Sequence, residues 1–125
     1  MLTTEIVIAV KEVRTSAVWY EQLLGCRSSH GGDTFEILRN EAGAVVLCLH
    51  RWEAHDHPTM SDAAITPGNG LIIYFKTDKL DAIWENAKKL GAKVAEEPHL
   101  NTNSGLREFS LWDKDNYYIS VSSVS

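Results

Sequence analysis

The chain has 125 residues, of which 44% are hydrophobic and 23% are charged, and its 12 Lys and Arg against 17 Asp and Glu give a net charge of −5. This length and composition are typical of one globular domain with a real apolar core. The acidic balance argues against a nucleic-acid partner, because no basic stripe is present to displace phosphate counterions. No apolar run is long enough to span a membrane, and the N-terminus lacks the basic and apolar regions of a signal peptide.

The two cysteines, Cys26 and Cys48, lie in apolar surroundings and do not form a CxxC pair. Such a pattern does not support a disulfide framework. It favours reduced thiols, and we therefore predict a cytoplasmic protein.

The first half begins with a β-branched run at 6–10, which predicts a strand. A helix follows, capped by Thr15 or Ser16 and stopped by Gly25. Three further strands are predicted at 26–29, 34–39 and 44–50, with turn-forming residues between them.

Polar residues then dominate from 52 to 70, and prolines and glycines there interrupt any regular element. We interpret this stretch as a connector between two halves, and as a lid or rim over a site. The predicted organisation is a single domain made of module one at about 1–57, a connector at about 58–69 and module two at about 70–125.

The second half repeats the plan of the first. A strand is predicted at 71–75, followed by a helix that Asp78 caps and Gly91 ends, with apolar residues at a 3.6-residue period. The remaining strands are predicted at 93–95, 107–112 and 117–124, and a long loop is predicted at 96–105.

An internal repeat relates the two helices. Ala17-Val18-Trp19 corresponds to Ala82-Ile83-Trp84, and Leu24-Gly25 corresponds to Leu90-Gly91. Each half is therefore a βαβββ module, and one module alone buries only one face of its sheet. The repeat predicts an α+β fold in which two βαβββ modules form one curved mixed sheet, with the helices outside and a concave pocket inside.

Several short motifs sit at corresponding places in this repeat: Val10-Lys11-Glu12-Val13-Arg14-Thr15-Ser16, Trp19-Tyr20, Leu23-Leu24-Gly25, Phe75-Lys76-Thr77-Asp78-Lys79-Leu80-Asp81, Leu90-Gly91-Ala92 and Asp113-Lys114-Asp115-Asn116. With them the chain resembles the vicinal oxygen chelate superfamily of glyoxalases, extradiol dioxygenases, fosfomycin-resistance enzymes and bleomycin-resistance proteins. The last motif stands where that family usually has an Asp-Pro-Asp-Gly turn. The resemblance covers essentially the whole chain and implies the glyoxalase/bleomycin-resistance-like fold and a homodimer.

Enzymes of this superfamily hold a divalent metal with His, Glu or Gln from strands 1, 4, 5 and 8. The resemblance carries these places onto Glu5, Cys48, Ile72 (or Leu71) and Ser120. Only Glu5 is an ordinary ligand for a hard divalent cation. We therefore predict that the usual metal centre is lost and that no cofactor is bound, as in the metal-free bleomycin-resistance proteins.

A different metal site is conceivable at His50, His55 and His57, with Glu5 as a fourth ligand, because residues two apart on an extended segment point the same way. The plainer interpretation, which we prefer, is that His55 and His57 belong to a solvated connector.

Period-2 alternation indicates which strand residues face the concave side. The predicted ligand-binding residues are Glu5, Cys48, His50, Trp52, Tyr74, Trp112, Tyr118 and Ser120. Apolar walls with a few polar groups are typical of a small-molecule site. Trp19 and Trp84 are interpreted as packing residues, and Glu5 is equally well explained as an exposed residue at the start of a strand.

Three functions fit these patterns. The first is a metal-free protein that sequesters an aromatic or planar small molecule. The second is an enzyme of the superfamily, a lyase, isomerase or dioxygenase, that uses an unconventional metal site or Glu5 as a general base. The third is an interaction module without a ligand.

Overall fold

The computed structural model describes residues 3–55 and 57–124. They divide into two compact units, which fall within Met1–Thr66 and Pro67–Ser125. The boundary between the units lies inside the predicted connector, so each unit contains one copy of the repeat. The assignment of both modules to a single domain stays a prediction. Within the described residues, no helix is long and apolar enough to cross a membrane.

The first unit has the predicted βαβββ order. Its elements are β1 (Val7–Val10), α1 (Val13–Leu24), β2 (Arg27–Ser28), β3 (Phe35–Arg39) and β4 (Val45–Arg51), followed by a 3₁₀ turn at Pro58–Met60. The strands pair in the order β1-β4-β3-β2, with β1 parallel to β4 and the other pairs antiparallel.

The second unit repeats this arrangement. Its elements are β5 (Ile73–Thr77), α2 (Leu80–Lys89), β6 (Lys93–Asn101), β7 (Leu106–Trp112) and β8 (Tyr118–Ser123). The strands pair in the order β5-β8-β7-β6, with β5 parallel to β8. The two-module α+β fold is confirmed, and among the described residues its strands form two four-stranded mixed sheets, one in each unit.

Each sheet packs one face against its helix. In the first unit, Ile8, Leu49 and Glu36 form one row across the sheet. This row lies on the α1 side, because Glu36 forms an ion pair with Arg14 of the helix. The buried residues of α1 on that side are Val13, Ser16, Ala17, Tyr20 and Leu23.

In the second unit, Phe75, Val121 and Phe109 form the corresponding row. Phe109 contacts Trp84 of α2, with 5.1 Å between the ring centroids. Trp84 therefore packs on the sheet, as its place in the helical period predicts. We call the opposite side of each sheet its helix-free face.

Both helices begin at different residues from those predicted. α1 starts at Val13, with Glu12 as the N-cap residue and no side-chain cap hydrogen bond. Ser16 cannot serve as the cap because it is buried inside the first turns of the helix. The predicted stop at Gly25 is confirmed by its left-handed φ of 75°.

α2 begins at Leu80, with Lys79 and not Asp78 as the N-cap residue. The Thr77 hydroxyl oxygen accepts the N–H of Lys79 at 2.9 Å, so a threonine further upstream shapes this helix start. Gly91 follows the helix with a φ of 62°, which agrees with the predicted stop.

The predicted loop at 96–105 is wrong over 96–101, because β6 runs from Lys93 to Asn101. Pro98 within this stretch suggested a break. However, β6 is an edge strand, where a missing N–H removes no ladder hydrogen bond. Register shifts between Val94 and His99 accommodate the irregularity.

Glu36 is a charged group in the core of the first unit and is 0% exposed. Besides Arg14, it accepts backbone N–H groups, those of Ser29, His30, Gly31 and Ile37. Burial alone raises the pKa of a carboxyl group, but these donors outweigh burial and lower the pKa of Glu36 to about 2. The carboxylate therefore organises the chain between β2 and β3.

Candidate functional site

Two of the predicted site residues, Cys48 and His50, lie on the helix-free face of the first sheet. In the register of the sheet, Cys48 stands between Val7 and Ile37, and His50 stands between Ala9 and Phe35. Both side chains are buried. Apart from His50, the residues in these two rows are weakly polar or apolar.

Glu5 lies before β1 and is exposed. Its carboxylate is near enough to Cys48 to help raise the pKa of that thiol, although burial of the thiol is the larger cause. The burial of Glu5 among aromatic side chains, which the general-base alternative requires, is not present among the described residues of the first unit.

Trp52 directly follows β4 and is half-buried. Its backbone N–H donates to the Val10 carbonyl oxygen at 3.3 Å, which extends the β1–β4 pairing by one step. Trp52 therefore stands at the end of the strand pair, where the chain leaves the sheet for the connector.

In the connector the chain turns back, so that His55 and His57 lie close to His50 at the end of β4. The Nε2 atom of His50 lies 2.9 Å from Nδ1 of His55, and ligand atoms of His50, His55 and His57 all lie within 4.8 Å of one another. His50 is 4% exposed, whereas His55 and His57 are exposed. We call this group the histidine cluster.

In the second unit, Tyr74, Ser120 and Ser110 form one row of the helix-free face. The hydroxyl oxygens of Ser110 and Ser120 are 2.7 Å apart. Lys76, Ser122 and Glu108 form the next row, and Lys76 Nζ donates to the Ser122 hydroxyl oxygen at 3.1 Å. This face is much more polar than its counterpart in the first unit.

Glu108 is the main residue that the sequence analysis missed. It is 6% exposed, and its carboxylate accepts hydrogen bonds from Asn101 Nδ2 at 3.0 Å and from the Tyr74 hydroxyl at 3.3 Å. The same alternation that put Ser110 and Trp112 on one face identifies Glu108 two residues earlier.

Tyr74 remains 46% exposed beside this carboxylate. Burial of its hydroxyl raises the pKa of Tyr74, and the negative charge and hydrogen bond of Glu108 raise it further. The phenol is therefore neutral at neutral pH and acts as a hydrogen-bond donor.

Trp112 and Tyr118 continue the aromatic surface on the same face. They are paired across β7 and β8 and meet edge to face, with ring centroids 4.9 Å apart. Lys93 lies over the Trp112 ring, with Nζ 5.9 Å from its centroid. The Tyr118 hydroxyl donates to Glu96 at 3.3 Å.

The predicted site residues thus form separate groups within each unit. Tyr74 and Ser120 are neighbours in one row, Tyr74 contacts Glu108, and Trp112 contacts Tyr118. Cys48 and His50 share a face of the first sheet, whereas Glu5 and Trp52 lie just outside its strands.

The residues at the four usual metal places do not fit a divalent metal centre. Ile72 has no donor atom, and the Ser120 hydroxyl is hydrogen-bonded to Ser110. Burial raises the pKa of the Cys48 thiol, whereas a metal requires the thiolate. Glu5 alone offers a carboxylate.

Comparison with solved structures gives whole-length matches. A protein of unknown function from Agrobacterium tumefaciens is 19% identical, with a TM-score of 0.79 over 100% of this chain and 95% of that one. A glyoxalase/bleomycin resistance protein/dioxygenase family enzyme from Burkholderia phytofirmans is 16% identical, with a TM-score of 0.78 over 97% of each chain. A virulence protein from Salmonella typhimurium is 20% identical, with a TM-score of 0.73 over 100% of both chains.

At these levels of sequence identity, the matches show only that the fold is shared. No curated protein matches the sequence. A family model, however, matches residues 4–121, which include every strand and both helices except the last two residues of β8. By that match, and with the paired βαβββ units that its relatives share, the chain belongs to the Glyoxalase/Bleomycin resistance protein/Dioxygenase superfamily.

Proposed function

We propose that the protein binds a planar aromatic small molecule on the helix-free face of the second sheet. The observation that carries this proposal is Glu108, a buried carboxylate beside the half-exposed ring of Tyr74. A ring to stack on and a charged acceptor next to it together favour a flat ligand that carries N–H groups.

One of the hydrogen bonds that Glu108 accepts is weak enough for a ligand to replace. The Tyr74 hydroxyl donates over 3.3 Å, well beyond the usual O–H···O distance of about 2.7–2.8 Å. A ligand amine or amidine can replace this weak bond with a charge-assisted one, while Asn101 continues to hold the other carboxylate oxygen. Trp112 and Tyr118 provide further aromatic surface.

We also propose that binding does not need the usual metal of superfamily enzymes. Ile72 and Ser120 support this proposal because neither supplies a free ligand atom of the required kind. The alternative of an enzyme that uses Glu5 as base is less well supported, since Glu5 is exposed. The enzyme alternative then depends on the histidine cluster.

The direct test is a calorimetric titration in the presence of a chelator. Pairs of planar aromatic compounds would be compared, one with an amine or amidine and one with a methyl group in its place. We expect the N–H compound of a pair to bind more tightly. The proposal is wrong if no compound of either kind binds or raises the melting temperature.

A Glu108→Gln variant locates the site. Removing the charge from a charge-assisted hydrogen bond costs about 1.5–3 kcal/mol, so affinity for the N–H compound should fall roughly 10- to 150-fold. Glu97→Gln makes the same change at an exposed position of β6 and should bind as the wild type does. An equal loss of affinity in both variants would show that the ligand does not bind at Glu108.

The homodimer that the resemblance implies is part of the same proposal. Exposed apolar side chains at Ile6, Val7 and Ile72 support it, since such groups are commonly covered in an assembly. Light scattering should give twice the chain mass of 14.0 kDa. The mass of a single chain at every concentration would contradict it.

A further inference from the structure

We propose that the histidine cluster of His50, His55 and His57 binds one divalent transition-metal ion, of the zinc, nickel and copper class. The site lies wholly within the first unit, at the end of β4 and in the loop that follows it. It differs from the usual metal places of the superfamily, because two of its three ligands come from the connector. It is also independent of the ligand site proposed on the second sheet.

The spacing of the three imidazoles suits a shared ion. Tetrahedral zinc with Zn–N distances of about 2.0–2.1 Å places its nitrogen ligands about 3.3 Å apart. His50 Nε2 and His55 Nδ1 are 2.9 Å apart, and all three ligand atoms lie within 4.8 Å of one another. To share one ion, the His50–His55 pair must open by about 0.4 Å and the longest separation must close by up to about 1.5 Å, which rotation of the two exposed rings can supply.

The hydrogen bonds of His50 fix the nitrogen that it presents. Its Nδ1 lies 2.8 Å from the Arg51 carbonyl oxygen, and because a carbonyl oxygen only accepts, Nδ1 must carry the proton. The lone pair is therefore on Nε2, the atom that faces His55. A metal-binding histidine is commonly held by such a bond from its other nitrogen to a backbone carbonyl.

Without a metal, the lone pair of His50 Nε2 accepts the Nδ1 proton of His55. When an ion binds, both nitrogens must donate lone pairs to it. The proton of His55 is then on Nε2, and this change of tautomer leaves the charge of the ring unchanged. The proton that lay between the two imidazoles goes to solvent while Nε2 of His55 takes one up, so the exchange at these two rings releases no net proton.

The surrounding backbone holds the cluster in place. Glu53 adopts a φ of 62°, which turns the chain back after β4. The N–H of Glu53 donates to the Met60 carbonyl at 2.8 Å, and the N–H of Met60 donates to the His57 carbonyl at 3.0 Å. The rings of Phe35 and His50 meet edge to face, with centroids 6.1 Å apart.

The ligand set indicates the class of metal. Neutral imidazoles suit zinc, copper and nickel, whereas calcium and magnesium prefer oxygen ligands. Three histidines leave one position of a tetrahedral ion open for water or another small ligand. A metal held in this way is accessible from solvent, because His55 and His57 are exposed.

The test is equilibrium dialysis and calorimetry with zinc chloride alone, using the chelator-stripped, full-length protein. We expect one zinc ion per chain. Losing even an outer-shell partner of a metal ligand weakens binding about 10- to 100-fold, so His55→Ala and His57→Ala should each weaken it by about 100-fold or more. His99→Ala removes an imidazole from the second unit and should leave the affinity unchanged.

A pair of exposed histidines could bind metal without His50, and that outcome would overturn the proposal. In wild-type protein, the nuclear magnetic resonance signal of His50 Nε2 should shift when zinc is added, which avoids any variant that fails to fold. The proposed site is contradicted if the His50 signal does not shift, or if His99→Ala weakens zinc binding as much as His55→Ala does. His55→Ala should still bind aromatic compounds as the wild type does. Failure of the zinc site and failure of the proposed function therefore give different results.

Discussion

At the scale of single residues, Tyr74 and Glu108 act as a coupled pair. The pKa of Tyr74 is raised first by burial of its hydroxyl and then by the neighbouring carboxylate. We expect Glu108→Gln to lower the pKa of Tyr74 towards its ordinary value of about 10, and not below it, because the burial remains. Ultraviolet titration of the phenolate measures this, with Tyr74→Phe used to assign the signal. An unchanged pKa in Glu108→Gln would show that the two groups do not interact.

Alternation along the strands predicts which residues share a face, but it does not predict their surroundings. Tyr74 and Ser120 are on the predicted side of their sheet, in one row. Glu108 was missed because a lone carboxylate in a strand is ordinarily a solvated residue. The sequence raised a cluster of His50, His55 and His57 but did not favour it, because an irregular connector has no period from which to infer direction.

At the scale of elements, α1 lacks a good N-cap. Glu12 has the extended backbone of an N-cap residue, with φ −133° and ψ 105°, but its side chain makes no cap hydrogen bond. The shorter Asp side chain can reach the free N–H groups of the first turn. We expect Glu12→Asp to increase the free energy of unfolding by about 0.5–1 kcal/mol in urea denaturation. Glu97→Asp is the matched control, and no gain over that control would contradict the assignment of the cap.

Element type was more predictable than element boundary. α2 follows a clear helical period, with Leu80, Ile83 and Ala87 buried, and its existence is confirmed. The end of β6 was not predictable, because Pro98 interrupts a central strand but is tolerated on an edge strand. Whether a strand lies at an edge depends on pairing between distant segments, which local sequence does not show.

At the scale of the whole molecule, duplication explains why the fold was predictable and the site was not. Apart from Glu36, the helix-side rows described in the two sheets are apolar, since both copies must bury a helix. The helix-free faces have diverged, with Ile37 and Phe35 in the first unit and Ser110 and Glu108 in the second. The binding site proposed above lies on a face that the repeat leaves unconstrained.

Glu36 has the largest predicted effect on the stability of the molecule. Glu36→Gln keeps the shape of the side chain but removes the charge that its backbone N–H donors and Arg14 surround. The free energy of unfolding at neutral pH should fall by about 3 kcal/mol, because several charge-assisted hydrogen bonds to a buried carboxylate become neutral ones. Arg14→Gln should cost less, because the carboxylate keeps its backbone donors. Equal losses in the two variants would show that the ion pair alone matters.

The same carboxylate sets how the molecule responds to acid. The pKa of Glu36 is about 2 in the folded chain, below the ordinary value of about 4.5, so the folded state holds the charged form more strongly than the unfolded state does. Its contribution, about 3 kcal/mol from this difference in pKa, is fully present above pH 4.5 and is lost as the pH falls towards 2. Urea denaturation at a series of pH values should therefore show a steeper loss of stability over this range in wild-type protein than in Glu36→Gln. Parallel curves for the two proteins would show that acid destabilises the fold through other carboxylates, because the variant has no proton to bind at this position.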